Sequence, residues 1–187
     1  MSSRKNKTMT IEKGNHYVDL SDRQIAIWHK LKSVKWQYEF EENCRYVLAN
    51  KNHQLNWNKV GGVSFGSALK NPDQDSAMVG WRYDTEKKEI NICPYFNVNG
   101  AYVYAKEPSQ WLNIQPGTKF TALTEYHDKK CTMTIEVGGQ QVTRSVEFSG
   151  DFKYSKQIDF YFGGTDPAPQ TVTIQVQLLD IDKGHLI

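Results

Sequence analysis

Apolar and polar residues alternate along most of the chain, which is the pattern of β-strands with one buried face. From Val34 to Phe40, Val, Trp, Tyr and Phe alternate with Lys, Gln and Glu. From Thr171 to Leu179, Val, Ile and Leu alternate with Thr and Gln. The same pattern predicts further strands at residues 77–83, 89–96, 101–105, 119–126, 130–137, 141–148 and 158–162. The chain is therefore predicted to be all-β.

Short turns separate these strands. Gly138-Gly139 and Asn99-Gly100 are typical of tight hairpins, because glycine and asparagine tolerate a positive φ. The stretch GGTDPAP, from Gly163 to Pro169, is too long for a two-residue hairpin. Its glycines supply unusual φ values and its prolines block further strand pairing, so it is predicted to be a corner at a sandwich edge.

One segment near the N-terminus departs from the alternation. Ser21-Asp22-Arg23-Gln24 offers a helix capping box, and Ile25, Trp28 and Leu31 follow at helical spacing. This spacing predicts a short N-terminal helix. The alternative is a surface loop with Trp28 inserted into the core.

These elements predict a two-sheet antiparallel β-sandwich, a jelly roll, with one short N-terminal helix. Many antiparallel strands with polar outer faces favour two packed sheets over a single open sheet. Residues 1–15 are predicted to form a basic arm, and residues 16–187 the sandwich domain.

Composition narrows the choice of protein class. The chain has 187 residues, of which 39% are hydrophobic and 24% charged, as in one soluble globular domain. A formal charge of +2 is too small to predict a nucleic-acid partner. No apolar run approaches the ~18 residues that a membrane-spanning helix needs, so membrane insertion is not expected.

The N-terminus and the cysteines predict synthesis in a reducing cytoplasm. The stretch MSSRKNKTMTIEKG is basic but has no apolar segment behind it, so it is not a signal peptide. Cys44, Cys93 and Cys131 have no CxxC spacing, and one of them stays unpaired under any disulfide scheme.

No catalytic residue, metal site or cofactor is predicted from local motifs. The five histidines show no HxH or HExxH spacing, and neither GxSxG nor a GxxxxGK[ST] phosphate loop is present. The run from Asn71 to Ser76 carries alternate oxygen side chains that would suit calcium. It lacks the glycine and glutamate of an EF-hand loop, and the other interpretation is a polar turn.

A saccharide site has more support. Aromatic rings stack on pyranose faces, and Asn and Arg supply hydrogen-bond donors around them. The predicted hairpins between residues 77 and 105 bring such residues together, and the candidates are Arg82, Tyr83, Tyr95, Asn97, Asn99, Tyr102 and Tyr104. The competing interpretation is core packing, which alternation imposes on some of these rings and which is predicted for Trp36 and Trp81.

The basic arm is a candidate contact with other protein subunits. Its cations are Arg4, Lys5 and Lys7. A nucleic-acid track is not expected there or at residues 30–38, because Glu39, Glu41 and Glu42 follow the basic residues directly.

Four short stretches within residues 60–180 are distinctive: Tyr161–Pro169, Ser76–Tyr83, Glu89-Ile90 and Asn97–Gly100. They resemble segments of the concanavalin A-like jelly rolls, in particular polysaccharide-lyase-like and laminin G-like sandwiches. The resemblance implies a sandwich fold, and for a lyase it implies Arg, Gln, His and Tyr on a concave sheet. Arg82, Tyr126 and His127 are the nominees here, but the QxH and Tyr-x-Lys strand motifs of such lyases are missing.

Three functions from different classes follow. The favoured one is a non-enzymatic structural or binding module of a larger assembly, such as a bacteriophage head-decoration, tail or fibre protein. A virion carries a lectin-like fold outside the cell without secretion, so localisation in a virion after synthesis in a bacterial cytoplasm is expected. The alternative is a carbohydrate-binding module or adhesin for a cell-surface glycan. The second alternative is a polysaccharide lyase.

Overall fold

The computed structural model describes residues 6–23, 26–66 and 73–183. The strands are β1 (Lys7–Ile11), β2 (Ile27–His29), β3 (Leu31–Phe40), β4 (Asn58–Phe65), β5 (Ser76–Asp84), β6 (Glu89–Val98), β7 (Ala101–Val103), β8 (Leu112–Ile114), β9 (Lys119–His127), β10 (Lys130–Val137), β11 (Gln140–Glu147), β12 (Tyr154–Ile158) and β13 (Val172–Lys183). Single 3-10 turns lie at Leu20–Asp22, Glu42–Cys44, Lys51–His53 and Pro108–Gln110. None of the helices in this part of the chain is long and apolar enough to cross a membrane.

The strands form two antiparallel sheets. The first sheet has the order β1-β13-β3-β9-β10-β11. The second has the order β2-β12-β4-β5-β6-β7, and β8 pairs with β6 beside β7. The predicted two-sheet jelly roll is therefore confirmed.

The core lies between the two sheets and is rich in aromatic residues. Phe40 of β3 packs against Trp81 of β5 at 4.9 Å between ring centroids, so this contact joins the two sheets. Trp28 of β2 and Trp36 of β3 make a second contact between the sheets at 6.2 Å. Trp36 and Trp81 are both buried, as predicted.

The predicted N-terminal helix is wrong. Leu20–Asp22 form only a single 3-10 turn, and Trp28 lies in β2. Lys30, with φ of 50°, reverses the chain before Leu31 begins β3. Trp28 and Leu31 are both buried, so their spacing reflects two consecutive strands, one in each sheet, that both face the core rather than one helical face. Residues 24 and 25 lie outside the described residues.

The predicted basic arm also needs correction. Residues 7–11 form β1, which pairs along Val172–Val176 of β13, and Met9 and Ile11 are buried. The Lys7 ammonium donates a hydrogen bond to the main-chain carbonyl of Asp22 instead of extending from the domain. Arg4 and Lys5 lie outside the described residues.

The GGTDPAP stretch is confirmed as a corner. It connects β12 of the second sheet to β13 of the first, so the chain changes sheets there. The carboxamide oxygen of Asn58 accepts a hydrogen bond from the Gly163 amide at 3.1 Å, and Asp166 contacts the His53 ring at 2.5 Å. The strand predicted at 158–162 is shifted, because β12 ends at Ile158 and the chain then leaves the sheet.

Candidate functional site

The outer face of the second sheet carries an unusual set of aromatic and cationic side chains. Strand alternation places Arg82 of β5 and Tyr95 of β6 on this face, since their neighbours Trp81 and Phe96 point into the core. We call this surface the aromatic face, and its members are Trp57, Lys59, Arg82, Tyr95, Tyr102, Tyr104, Trp111 and Tyr161.

Three tyrosines form one half of the aromatic face. Tyr95 is only 4% exposed, although it lies on the outer side of the sheet, because other side chains cover it. The Tyr104 ring stacks on it at 5.5 Å with 9° between the planes, and the Tyr102 ring lies at 6.4 Å. Tyr102 itself is 61% exposed. The result is a layered aromatic surface whose outermost ring faces solvent.

A lysine lies against this tyrosine layer. The Lys59 ammonium is 4.7 Å from the centroid of the Tyr95 ring and 5.9 Å from that of Tyr161. Burial lowers the pKa of Lys59, and the Asp73 carboxylate acts in the opposite direction. Burial also raises the pKa of Tyr95 above its usual range.

Arg82 and two indoles form the other half. The guanidinium carbon of Arg82 lies 4.2 Å from the Trp57 ring centroid and 4.7 Å from that of Trp111. Its Nε donates to the Asn91 carboxamide oxygen and its Nη1 to the Leu55 carbonyl, each at 3.0 Å. Cation–π contact and two hydrogen bonds therefore fix the guanidinium plane.

Trp57 joins the two halves. Its main-chain carbonyl accepts a hydrogen bond from the Lys59 ammonium at 3.2 Å, while its ring contacts Arg82. The ring lies beside Gly80 of β5. A Cβ at residue 80 would be in ordinary contact with the Trp57 ring at 3.4 Å, but it would be tightly placed at 3.1 Å from the Cys93 sulfur and 3.3 Å from the Tyr95 Cβ.

The corner loop borders the same surface. Tyr161 folds over Gly163 so closely that a Cβ at residue 163 would lie 2.2 Å from the Tyr161 ring. Tyr161 in turn packs on the exposed Tyr17 ring at 4.8 Å, and the Arg23 guanidinium lies 5.3 Å from the Tyr17 ring centroid. The corner therefore also holds one aromatic ring of the face in position.

The structure brings together most of the predicted saccharide residues. Arg82, Tyr95, Asn97, Tyr102 and Tyr104 share the outer side of the second sheet or its edge. Asn97 is buried beneath this surface, and its amide nitrogen donates to the Ser76 hydroxyl at 3.1 Å. Asn97 therefore stabilises the strands beneath the aromatic face through this buried hydrogen bond.

Two predicted residues lie elsewhere. Tyr83 is in the core, where its ring lies 6.3 Å from that of Tyr46, because it shares the inward side of β5 with Trp81. Asn99 is in the β6–β7 turn with φ of 50°, and its main-chain amide donates to the Asp75 carboxylate at 3.0 Å. The Asp75 carboxylate therefore stabilises this polar turn as a hydrogen-bond acceptor.

The nominated lyase residues do not converge. Arg82 is on the outer side of the second sheet, whereas Tyr126 is buried in the core and donates to the Gly150 carbonyl at 3.2 Å. His127 is an exposed residue at the end of β9 in the first sheet, where it pairs with Asp128. A general acid and base at one reacting centre would have to meet within hydrogen-bond reach of one substrate.

Sequence reasoning missed four members of the aromatic face: Trp57, Lys59, Trp111 and Tyr161. They come from loops and strand ends far apart in the chain, so no local pattern groups them. The Pro108–Gln110 turn just before Trp111, and the glycine at residue 80 between outward-facing Met78 and Arg82, are the only sequence signals near them.

Solved structures share this fold at low sequence identity. An alginate lyase from Klebsiella pneumoniae superposes with a TM-score of 0.59 at 12% identity, over 83% of this chain and 61% of the lyase. A functionally unknown protein from Saccharomyces cerevisiae gives 0.54 at 7% identity, over 96% and 89% of the two chains. An alginate lyase of polysaccharide lyase family 7 gives 0.54 at 12% identity, over 85% and 64%.

These likenesses establish a concanavalin A-like jelly roll, and at such identities they establish the fold alone. The chain spans less than two thirds of the length of the two lyases. No protein-family model matches the sequence, and no curated protein sequence matches it.

Proposed function

We propose that this chain is a non-enzymatic module that binds a saccharide through its aromatic face. The observation that carries the proposal is the Tyr95–Tyr104 stack with the exposed Tyr102 beside it. Tyr95 is buried and supports the Tyr104 ring, so Tyr104 and the exposed Tyr102 offer apolar surface for the C–H side of a pyranose, while their phenol hydroxyls meet the sugar hydroxyls.

The polar groups around the rings complete the proposal. The Arg82 guanidinium and the Asn91 and Asn113 carboxamides form a connected hydrogen-bonded row, in which Asn91 donates to Asn113 at 2.8 Å. The Trp111 indole N–H also donates to Asn113, at 3.1 Å. A site that holds its donors rigidly next to aromatic surface loses little side-chain entropy when a sugar binds.

A binding role is favoured over catalysis because the lyase nominees point to different parts of the sandwich. A module of this kind would also serve in a larger assembly, as the sequence predicts. The location in a virion, and the contact with other subunits, stay predictions. The described part of the N-terminus offers no docking arm, since residues 7–11 are a strand of the first sheet.

The test is a glycan array probed with the whole chain and with a Tyr102→Ala/Tyr104→Ala double variant. At about 0.5–1.5 kcal/mol per stacked ring, the loss of two rings should weaken binding by about 5- to 150-fold. Thr134→Ala/Thr143→Ala is the matched control, because it changes two outward-facing residues, half-buried Thr134 and exposed Thr143, on the outer face of the first sheet. An array without any hit, or tyrosine variants that bind as well as the control, would refute the proposed function.

A further inference from the structure

Arg82 is a partly buried cation that forms no ion pair with a carboxylate of the described residues. Among the described residues, no Asp or Glu oxygen lies within 4 Å of its guanidinium, although Arg45, for comparison, pairs with Glu42 at 2.7 Å. Burial lowers the pKa of Arg82, which reflects the cost of holding its charge away from water.

The guanidinium also keeps unused donors. It has five N–H groups, and the described residues accept from Nε and Nη1 only. An immobilised guanidinium with free N–H groups matches a carboxylate or sulfate oxygen pair, which it binds through two parallel hydrogen bonds.

The acidic residue nearest to Arg82 along the strand is Asp84, two residues further along β5. Burial lowers the pKa of Arg82 more than the charge of Asp84 raises it, and the two side chains form no ion pair within 4 Å. The Asp84 carboxylate instead accepts hydrogen bonds from the main-chain amides of Glu86 and Lys87 at 3.0 and 3.1 Å. The outward side of the inner strands β4, β5 and β6 carries no Asp or Glu over residues 59–64, 76–82 and 91–97. The centre of the face is therefore cationic.

Lys59 lies close to Arg82 on this surface. It pairs with Gly80, two residues before Arg82 on β5, and such diagonal neighbours lie about 7–8 Å apart. Both cations contact Trp57, one through the carbonyl and one through the ring. The Asp73 carboxylate interacts favourably with the Lys59 ammonium, so of these two cations Arg82 is the stronger site for an anion.

We infer that the ligand is an acidic saccharide, with a carboxylate or sulfate group held by Arg82 and an adjoining sugar ring packed on the neighbouring rings of the aromatic face. This inference rests on the proposed function and adds the charge of the ligand to it. The acidic group of the saccharide supplies the ion-pair partner that Arg82 lacks among the described residues. Since the guanidinium is already fixed by four neighbours, binding requires little rearrangement.

The experiment compares matched probes by calorimetry: oligogalacturonate against its methyl ester, and dextran sulfate against dextran. We expect at least one acidic probe to bind at least 10-fold more tightly than its neutral counterpart. That affinity should fall by about 10-fold or more between 50 and 500 mM salt, since charge pairing is screened. The hits on the glycan array should be concentrated among uronic acids and sulfated sugars.

Arg82→Gln should remove the preference for the acidic probe, so that this variant binds the acidic probe and its neutral counterpart with affinities within about 3-fold of each other. Arg82→Lys keeps the charge but not the planar fork, so it should retain only part of the preference. Lys156→Gln, an outward change on β12, is the control and should alter binding by less than 2-fold. Thermal unfolding shows which variants are folded.

The outcomes separate the two claims. Array hits confined to neutral glycans, equal affinity for the members of both probe pairs, or an acidic preference that persists in folded Arg82→Gln would overturn the inference and leave saccharide binding intact. If Arg82→Gln does not fold, the salt dependence and the Arg82→Lys variant decide. No binding to any glycan would overturn both claims.

Discussion

Trp81→Ala is expected to lower the free energy of unfolding by about 3–5 kcal/mol, as is typical of a fully buried large aromatic residue. The Trp81 side chain has no exposed surface and contacts both sheets. Its ring centroid lies 4.9 Å from Phe40, 5.5 Å from Tyr46 and 5.9 Å from Phe160. Removal of the indole would leave a cavity at the point where these rings meet. Urea-induced unfolding followed by circular dichroism measures the change.

Trp81→Phe is the matched control for this prediction. The Trp81 indole N–H has no acceptor among the described residues, so phenylalanine loses ring volume but no hydrogen bond. We expect Trp81→Phe to lower the free energy of unfolding by about 1–2 kcal/mol, clearly less than Trp81→Ala. A Trp81→Ala protein that is destabilised by less than about 1 kcal/mol would mean that the two sheets do not pack through this residue.

Trp57→Ala is expected to affect stability and saccharide binding together. Trp57 is buried, although it lies on the outer side of the second sheet, and it supports both cations of the aromatic face. Loss of the Trp57 ring should lower the free energy of unfolding by about 3 kcal/mol, at the lower end of the range for large aromatic residues. Without the ring, Arg82 loses one of its two cation–π contacts, and we expect saccharide affinity to fall by at least 10-fold. Calorimetric titration on protein that is shown to be folded provides the measurement.

Trp57→Phe separates the two effects, because it keeps an aromatic ring beneath Arg82 while it removes the outer part of the indole. Its affinity should lie between those of wild type and Trp57→Ala. Folded Trp57→Ala protein with unchanged affinity would show that the ligand binds elsewhere.

The fold follows from alternation wherever only one face of a strand is buried. β9 and β10 match their predicted runs, because Thr and Glu mark the solvent-exposed side. β13 follows its predicted run of alternating Val, Ile, Thr and Gln and continues four residues beyond it, to Lys183. β4 was missed because its sequence NKVGGVSF does not alternate: seven of its eight residues are buried, since other residues cover its outer side as well. A strand that is covered on both faces loses the period of two.

The error at the N-terminus has a related cause. Trp28 and Leu31 are three residues apart, which suits a helix, but the same spacing arises when the chain turns from one strand into the next and both strands face the core. Lys30 makes this turn with a positive φ, and neither glycine nor asparagine signals it in the sequence. Tertiary packing of both apolar side chains decided the structure there.

From the sequence, residues could be assigned to the candidate site only where they belong to one hairpin. Arg82 and Tyr95 come from β5 and β6, which are neighbours in the chain. Tyr83 could have been excluded, since it lies two residues after Trp81 and therefore shares the inward side of that strand. Trp57, Trp111 and Tyr161 join the site only through long-range packing, which a single sequence does not reveal.

The central claim is that the outer side of the second sheet binds a saccharide, and the five tryptophans provide a direct measurement of it. In a ¹H–¹⁵N spectrum each indole N–H gives its own signal, which Trp→Phe variants assign. Titration with a bound saccharide should shift the signals of Trp57 and Trp111 along one saturation curve and leave those of Trp28, Trp36 and Trp81 in place. Binding that moves neither Trp57 nor Trp111, with changes confined to main-chain amides of β9, β10 and β11, would contradict the account.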